Sequence, residues 1–145
     1  MHKEIMIQSL RRSIVEEART HIGKASYCLR AHSGDAPSVF NCSSFTQYVF
    51  RVCLDVVIPR RAYQQKEYGV PVENIVAGNL VFATGKNGWD RSSLIGHVGI
   101  ATGMGNIIHA TSRKKGVTED SLEKFLIRRE FLGACSILLI LHSSR

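Results

Sequence analysis

Between Gly96 and Ala110 the chain has few ways to fold. Two apolar runs, His97-Val98-Gly99-Ile100-Ala101 and Asn106-Ile107-Ile108-His109-Ala110, are joined through the glycine-flanked Gly103-Met104-Gly105, a connection that suits a hairpin of antiparallel strands. Loop length then decides which face each side chain takes. A three-residue loop, Gly103 to Gly105, sets His109 opposite Gly99 and diagonal to His97, with both imidazoles on one face. A two-residue loop sends them to opposite faces.

The rest of the chain supplies what such a hairpin needs around it. Leu80-Val81-Phe82-Ala83-Thr84, entered through Ala77-Gly78-Asn79, reads as the first strand of the sheet. The apolar run Ser136 to Leu141 reads as a central strand covered on both faces. From Glu4 to Ile22, Ile7, Leu10, Ile14, Val15 and Ala18 recur at helical spacing, and Gly23 ends the pattern. A second helix, Cys42 to Leu54, carries Phe45, Val49 and Val52 as a core-facing stripe. A short polar helix follows Pro59, from Arg60 to Glu67. Thr118 to Leu126 reads as another helix, with acidic residues in its first turn and Arg128-Arg129 at its end. The expected class is therefore α+β, N-terminal helices packed on a central antiparallel β-sheet. At 145 residues without repeats or low-complexity tracts, residues 1–145 are expected to form a single domain.

A candidate nucleophile sits where the irregular Ser33-Gly34-Asp35-Ala36-Pro37-Ser38 gives way to the second helix. Asn41 is a strong helix cap, which places Cys42 in the first turn. The partial positive charge of a helix N-terminus favours thiolate there. Cys42 is thus expected to be the nucleophile, with the two hairpin histidines as partners; each histidine alone is more often a packed or surface residue. The test is spatial: Cys42, His97 and His109 must converge.

Composition narrows the classes further. Nineteen Lys and Arg against 12 Asp and Glu give a net charge of +7, spread over Arg11-Arg12, Arg60-Arg61, Arg113-Lys114-Lys115 and Arg128-Arg129. Such a surface suits anionic partners in general, or serves only solubility. No basic stripe interleaved with aromatics appears, so no nucleic acid is expected as a partner. The four cysteines lie at irregular positions without a Cys-x-x-Cys pair, which speaks for a reducing compartment and against a structural zinc site. The first twelve residues are broken by charges and have no signal-peptide core, and no run is apolar enough to span a bilayer. The expected location is cytoplasmic, or else that of a mature or otherwise exported form. Gly85 to Ser93 is a polar loop in which Trp89 either stacks on a ligand over a cleft or belongs to a plain connection.

Cys42 followed by Ser43 and an aromatic helix, the Ile58-Pro59-Arg60-Arg61-Ala62-Tyr63-Gln64-Gln65 run, Gly78-Asn79-Leu80-Val81-Phe82, and the strands His97-Val98-Gly99-Ile100 and Ile108-His109-Ala110 together resemble the NlpC-type cysteine peptidases of bacteria. These are papain-like enzymes that cut peptidoglycan stem peptides, commonly between D-glutamate and the following diamino acid. The resemblance runs from about Ile14 to the last strand. It implies Cys42 as nucleophile, His97 as base and His109 as the residue orienting it. Tyr27 falls where relatives place a substrate-binding tyrosine, although an ordinary half-buried aromatic fits as well. Asn41, Ser43 and Ser44 flank the nucleophile and are expected beside the substrate. Arg60 or Arg61 borders the substrate groove in relatives; Arg61 is carried as a carboxylate donor against the plainer reading of exposed arginine. Two positions depart from the pattern. Asn41 stands where relatives usually have Asp, which helps hold a free amine of the stem, and Ser44 stands where they commonly have Gly.

The implied activity is a cysteine peptidase or amidase with a Cys-His-His triad, needing no cofactor, and peptidoglycan or muropeptides as its partner. Three other readings compete: a thiol acyltransferase or deamidase on a protein or lipid amide, a catalytically silent binding domain of the same fold, and a metal site made by Cys42, His97 and His109 with a fourth ligand.

Overall fold

The computed structural model describes residues 2–86 and 95–143. The N-terminal amphipathic pattern folds as α1, His2–Thr20, which buries Ile14, Val15 and Ala18. Beyond a turn, Gly23 adopts φ +78°, a conformation that suits a residue without Cβ. A short strand β1, Ser26–Tyr27, then pairs in parallel with β2, Val39–Phe40. Helix α2, Cys42–Leu54, follows directly and is closed at its far end by Asp55 in the left-handed region. Its buried residues include Phe45, Val49 and Phe50, whereas Val52 is 46% exposed. The expected stripe through Val52 is corrected: the helix lies on the sheet through the row containing Phe45, Thr46, Val49 and Phe50.

Helix α3, Ala62–Tyr68, leads into β3, Val70–Val72, so the sheet begins one strand earlier than Leu80. The remaining strands are β4 (Leu80–Ala83), β5 (His97–Ala101), β6 (Asn106–Ser112), β7 (Gly116–Ser121) and β8 (Phe131–Ser136). Helix α4 spans Leu122–Phe125 and α5 spans Leu138–Ser143. The six strands lie in the order β3-β8-β4-β5-β6-β7, and neighbouring strands run antiparallel. One face packs Val98, Ile100, Ile108 and Ala110 against Ile14, Phe45 and Val49 of the N-terminal helices. On the other, Val81, Ala83, Ala101, Ile107 and Ala134 pack with Phe125 of α4. The α+β arrangement expected from sequence is present, helices first and an antiparallel sheet behind them.

Two further expectations are corrected. Residues 118–121 are strand rather than helix, because a turn over Arg113-Lys114-Lys115 folds β7 back on β6 and pairs Ile107 with Asp120. Gly116 makes that turn possible, at φ +62° and with the Ala25 carbonyl oxygen 2.5 Å from where a Cβ would stand. The apolar run at the C-terminus is also not one strand. Strand β8 stops at Ser136, whose hydroxyl accepts from the Leu139 N–H at 3.1 Å, and the run continues as α5. A short, continuously apolar segment suits a buried strand and a buried helix equally, so its periodicity cannot tell them apart. Among the described residues no helix is long and apolar enough to cross a membrane.

Candidate active site

Asn41 and Ser44 fasten the start of α2 to each other. The Asn41 side-chain oxygen accepts from the Ser44 N–H at 2.9 Å, and the Ser44 hydroxyl accepts from the Asn41 N–H at 3.0 Å. The Asn41 amide nitrogen is spent as well, donating to the carbonyls of Leu29 at 3.0 Å and Ala31 at 3.3 Å. An aspartate here would have no hydrogen to offer either carbonyl at neutral pH. Asn41 is therefore dictated by the loop that folds over it. Arg60 braces the same corner, donating to the Ser43 hydroxyl at 2.8 Å and to the Ala31 carbonyl. Beneath, fully buried Gln65 accepts from Thr46 at 2.7 Å and donates to the carbonyls of Ser43 at 3.0 Å and Pro59 at 2.9 Å. Cys42 is held on a first turn secured from several sides.

The histidine hairpin closes with the three-residue loop. Thr102 and Asn106 are linked by a backbone hydrogen bond of 3.0 Å, and Gly103 and Gly105 take φ of +88° and +89°. The register Ile100↔Ile108 and Ala101↔Ile107, continued, sets Gly99 against His109. Both imidazoles therefore share a face. Their rings meet: His97 Nε2 lies 2.8 Å from His109 Nδ1. His109 Nε2 in turn lies 2.9 Å from the Asp120 carboxylate on β7. Three adjacent strands each contribute one member of the row.

Strands β5 and β6 pair only near the turn. Continuing their register would bring Val98 against Ala110, but that pairing is not made, and the Val98 backbone instead hydrogen-bonds Cys42. The start of α2 thus meets β5 where the ladder opens. Cys42 and His97 line one open cavity of about 1030 Å³, together with Tyr27, Asn41, Ser43, Arg60, Arg61, Lys86 and Arg129.

Electrostatics at this junction follow from burial. Desolvation pushes the Cys42 thiol above its ordinary value of 9.0, although hydrogen bonds from Val98 and Ser43 and the charges of Arg129 and Arg60 pull the other way. The thiolate expected from the helix terminus is thus opposed, at rest, by the cost of burying its charge. His97 is held well below 6.5, first by burial and then by Arg129, His109 and Lys86. His109 is also lowered by burial, with Asp120 working against the shift. Phe125, 1% exposed, contributes to the dry setting, its ring centroid 5.1 Å from that of His97 and 5.0 Å from that of His109.

Residues 30–136 match the profile of the NlpC/P60 family. The chain belongs to that family, one of bacterial cell-wall hydrolases. It is 36% identical over 111 residues to the probable endopeptidase p60 of Listeria seeligeri, an alignment covering 75% of this chain and 19% of the relative. It is 37% identical over 125 residues to the gamma-DL-glutamyl hydrolase of Bacillus subtilis, covering 83% of this chain and 28% of that protein. The crystal structure of the NlpC/p60 domain of peptidoglycan hydrolase SagA superposes with a TM-score of 0.68 at 32% identity, covering 88% of this chain and 98% of the other. The chain thus spans 19% and 28% of these two curated relatives, and 98% of the SagA domain.

Within this NlpC/P60 domain, His97 and His109 are in contact, and Cys42 shares a cavity wall with His97. Tyr27 is half-buried on the cavity wall, its hydroxyl pushed upward by burial and by Cys42. Asn41 and Ser43 line the cavity with side chains engaged in the cap and in Arg60. Ser44 is 2% exposed and lies within the cap, away from the cavity lining. Arg61 is exposed at the start of α3 and lines the cavity. Trp89 lies outside the described residues. The metal alternative finds no support in the arrangement: among the described residues no three His, Cys, Asp or Glu are grouped to hold an ion, and the two rings spend facing nitrogens on each other.

Sequence reading missed Asp120, Phe125 and Arg129. Reading 118–126 as a helix hid the first, and the turn-forming Gly116 after an apolar strand was the available signal. Arg129, which in the sequence is only a charge at the end of a helix pattern, lines the cavity and donates to the Thr84 carbonyl at 3.0 Å.

Proposed function

We propose that this domain is a cysteine hydrolase that cleaves a γ-glutamyl-type amide in peptidoglycan stem peptides, with Cys42 as nucleophile, His97 as base and His109 as the group orienting it. The observation that carries the reading is the row His97–His109–Asp120, with spacings of 2.8 and 2.9 Å, opening on the cavity that Cys42 lines.

Hydrogen placement along the row follows from its acidic end. The Asp120 carboxylate accepts from His109 Nε2–H, which leaves His109 Nδ1 as an acceptor for His97 Nε2–H. His97 Nδ1 then keeps its lone pair for the thiol. As the sulfur attacks the carbonyl carbon, its proton passes to His97 and a C–S bond forms. The developing oxyanion is received by the Cys42 N–H and by the Ser43 N–H as it leaves the sulfur, since those of Ser44 and Phe45 are taken by the side-chain and main-chain oxygens of Asn41. The imidazolium returns its proton to the leaving nitrogen as the C–N bond breaks. Water, deprotonated by His97, then attacks the thioester and releases a carboxylic acid while the sulfur recovers the proton.

Incubation with muropeptides of defined stem composition, followed by mass spectrometry, tests the assignment. Wild-type protein is expected to cut one amide of the stem and Cys42→Ala none. Equal cleavage by both removes Cys42 from the reaction. Added amines separate hydrolysis from acyl transfer, because a transferase would yield amide products in their presence.

A further inference from the structure

The described wall around Cys42 is rich in cationic side chains. Among the described residues lining the cavity are Arg30, Arg60, Arg61, Lys86 and Arg129, and no aspartate or glutamate. Two backbone acceptors of this corner, the Leu29 and Ala31 carbonyls, are already engaged. Asn41 donates to the Leu29 and Ala31 carbonyls, and Arg60 donates to Ala31 as well. A substrate ammonium entering this corner would find Arg60 where it needs a carboxylate, and like charges in a partly buried cavity repel strongly. Arg129 shows the complementary property. It is half-buried, one of its nitrogens is fixed on the Thr84 carbonyl, and it lines the same cavity as Cys42 and Tyr27. A guanidinium has five donors in one plane and stays protonated, so Arg129 keeps hydrogens for a bidentate carboxylate.

From this we infer that the cavity takes its substrate through carboxylates and refuses a free ammonium: the ligand is a γ-glutamyl amide within a peptide whose amino end is acylated, with Arg129 as the specificity-determining carboxylate receiver. The inference rests on the reading of the site given above and narrows it. Two sources share this chemistry, a stem peptide still acylated at its amino end and an interior unit of a γ-linked glutamyl chain. The 37% identity to a gamma-DL-glutamyl hydrolase is consistent with the second.

Binding to Cys42→Ala protein separates recognition from turnover. The probes are a stem peptide with a free amino terminus, the same peptide N-acetylated, its form with side carboxylates amidated, and an N-acetylated γ-linked glutamate oligomer, measured by calorimetry at two salt concentrations. The N-acetylated acid is expected to bind at least about tenfold more tightly than the free amine, a difference of about 1.4 kcal/mol. Amidation, added salt and Arg129→Gln should each remove most of that affinity. Comparing the two acetylated probes identifies the source. Equal or tighter binding of the free-amine peptide, indifference to amidation, or no binding of any probe overturns the inference. Selective binding without cleavage by wild-type protein would uphold it and defeat the hydrolase assignment instead.

Discussion

Replacing Asp120 by Asn keeps the size of the side chain and reverses its instruction to the row. An amide N–H turned toward His109 Nε2, 2.9 Å away in the wild type, makes that nitrogen an acceptor and moves the proton to Nδ1. His97 Nε2, 2.8 Å further along, must then accept, and its proton moves to Nδ1, where the thiol needs a lone pair. One substitution therefore blocks the base through two rings. If the Asn oxygen faces His109 instead, the tautomers survive and only the carboxylate charge is lost. A charge-assisted hydrogen bond contributes about 1.5–3 kcal/mol, which corresponds to roughly 10- to 150-fold in rate. Where a carboxylate touches the catalytic histidine directly, the same change has cost about 10⁴-fold, so an effect one ring removed should fall below that ceiling. The expected result for Asp120→Asn is a fall in kcat of about 10- to 100-fold with little change in KM and the fold retained. Nitrogen-15 NMR of the imidazoles reads the cause directly. In the wild type both rings should carry the proton on Nε2; in the variant the fraction on Nδ1 should rise with the loss of rate. Activity within twofold of wild type, or Nδ1-protonated rings in the unmodified protein, would refute the relay.

Other perturbations probe the parts separately. Because burial raises the Cys42 thiol above 9.0, its alkylation by iodoacetamide, followed residue by residue, should accelerate about tenfold per pH unit between about pH 6 and 9; a flat rate across that range would mean a preformed thiolate. Gly99→Ala sets a Cβ 2.4 Å from Ile107 Cγ2 and 3.1 Å from both His109 Cβ and Phe125 Cε1. The crowding should cost about 1–3 kcal/mol in urea unfolding and lower kcat while Cys42 still reacts with alkylating agent; an unchanged kcat would dissociate the hairpin register from catalysis. Gln65→Leu takes the donor from the Pro59 carbonyl beneath the nucleophile, while the Thr46 hydroxyl keeps the Ser43 carbonyl as its acceptor at 3.0 Å. About 1–3 kcal/mol of stability should be lost, and a loss under about 0.5 kcal/mol would show that the Pro59 carbonyl finds another donor.

What the sequence made legible were features whose cause lies within a few residues. A cap acts over three positions, so Asn41 and the start of α2 could be read directly, and a glycine-bounded loop left two faces for His109, of which strand pairing selects the one shared with His97. Features that depend on pairing across the sheet were hidden. Asp120 becomes part of the row only because β7 folds against β6, and a local reading of Thr118 to Leu126 finds acid-to-base polarity typical of a helix. Val52 was placed in the core by a spacing that Phe45, Val49 and Phe50 satisfy equally well, and only the position of the sheet selects between them. The departure at Asn41 was visible, but its reason was not. It lies in the carbonyls of Leu29 and Ala31, brought there by a loop ten and twelve residues away.

Burial acts with opposite sign on the two reacting groups, raising the thiol and lowering the imidazole, and so favours an uncharged pair before substrate arrives. Arg129 divides its influence: its charge aids the thiolate but opposes an imidazolium at His97. A substrate carboxylate seated on Arg129 offsets the second effect, and His97 becomes a stronger base when the amide is in place. The sign can be followed in the pH dependence. The acid limb of kcat/KM reports His97 in the free protein, which must be neutral to act and stays so well below pH 6.5. The acid limb of kcat reports the occupied site, where the neutralised arginine lets His97 hold its proton to higher pH. With an acylated γ-glutamyl substrate, the kcat limb should therefore lie above the kcat/KM limb, by about one unit if the offset is comparable to about 1.4 kcal/mol. In Arg129→Gln the free-protein limb should itself move up and the separation should close. Coincident limbs in the wild type, or a separation that persists in the variant, would show that the substrate charge never reaches the base through this arginine.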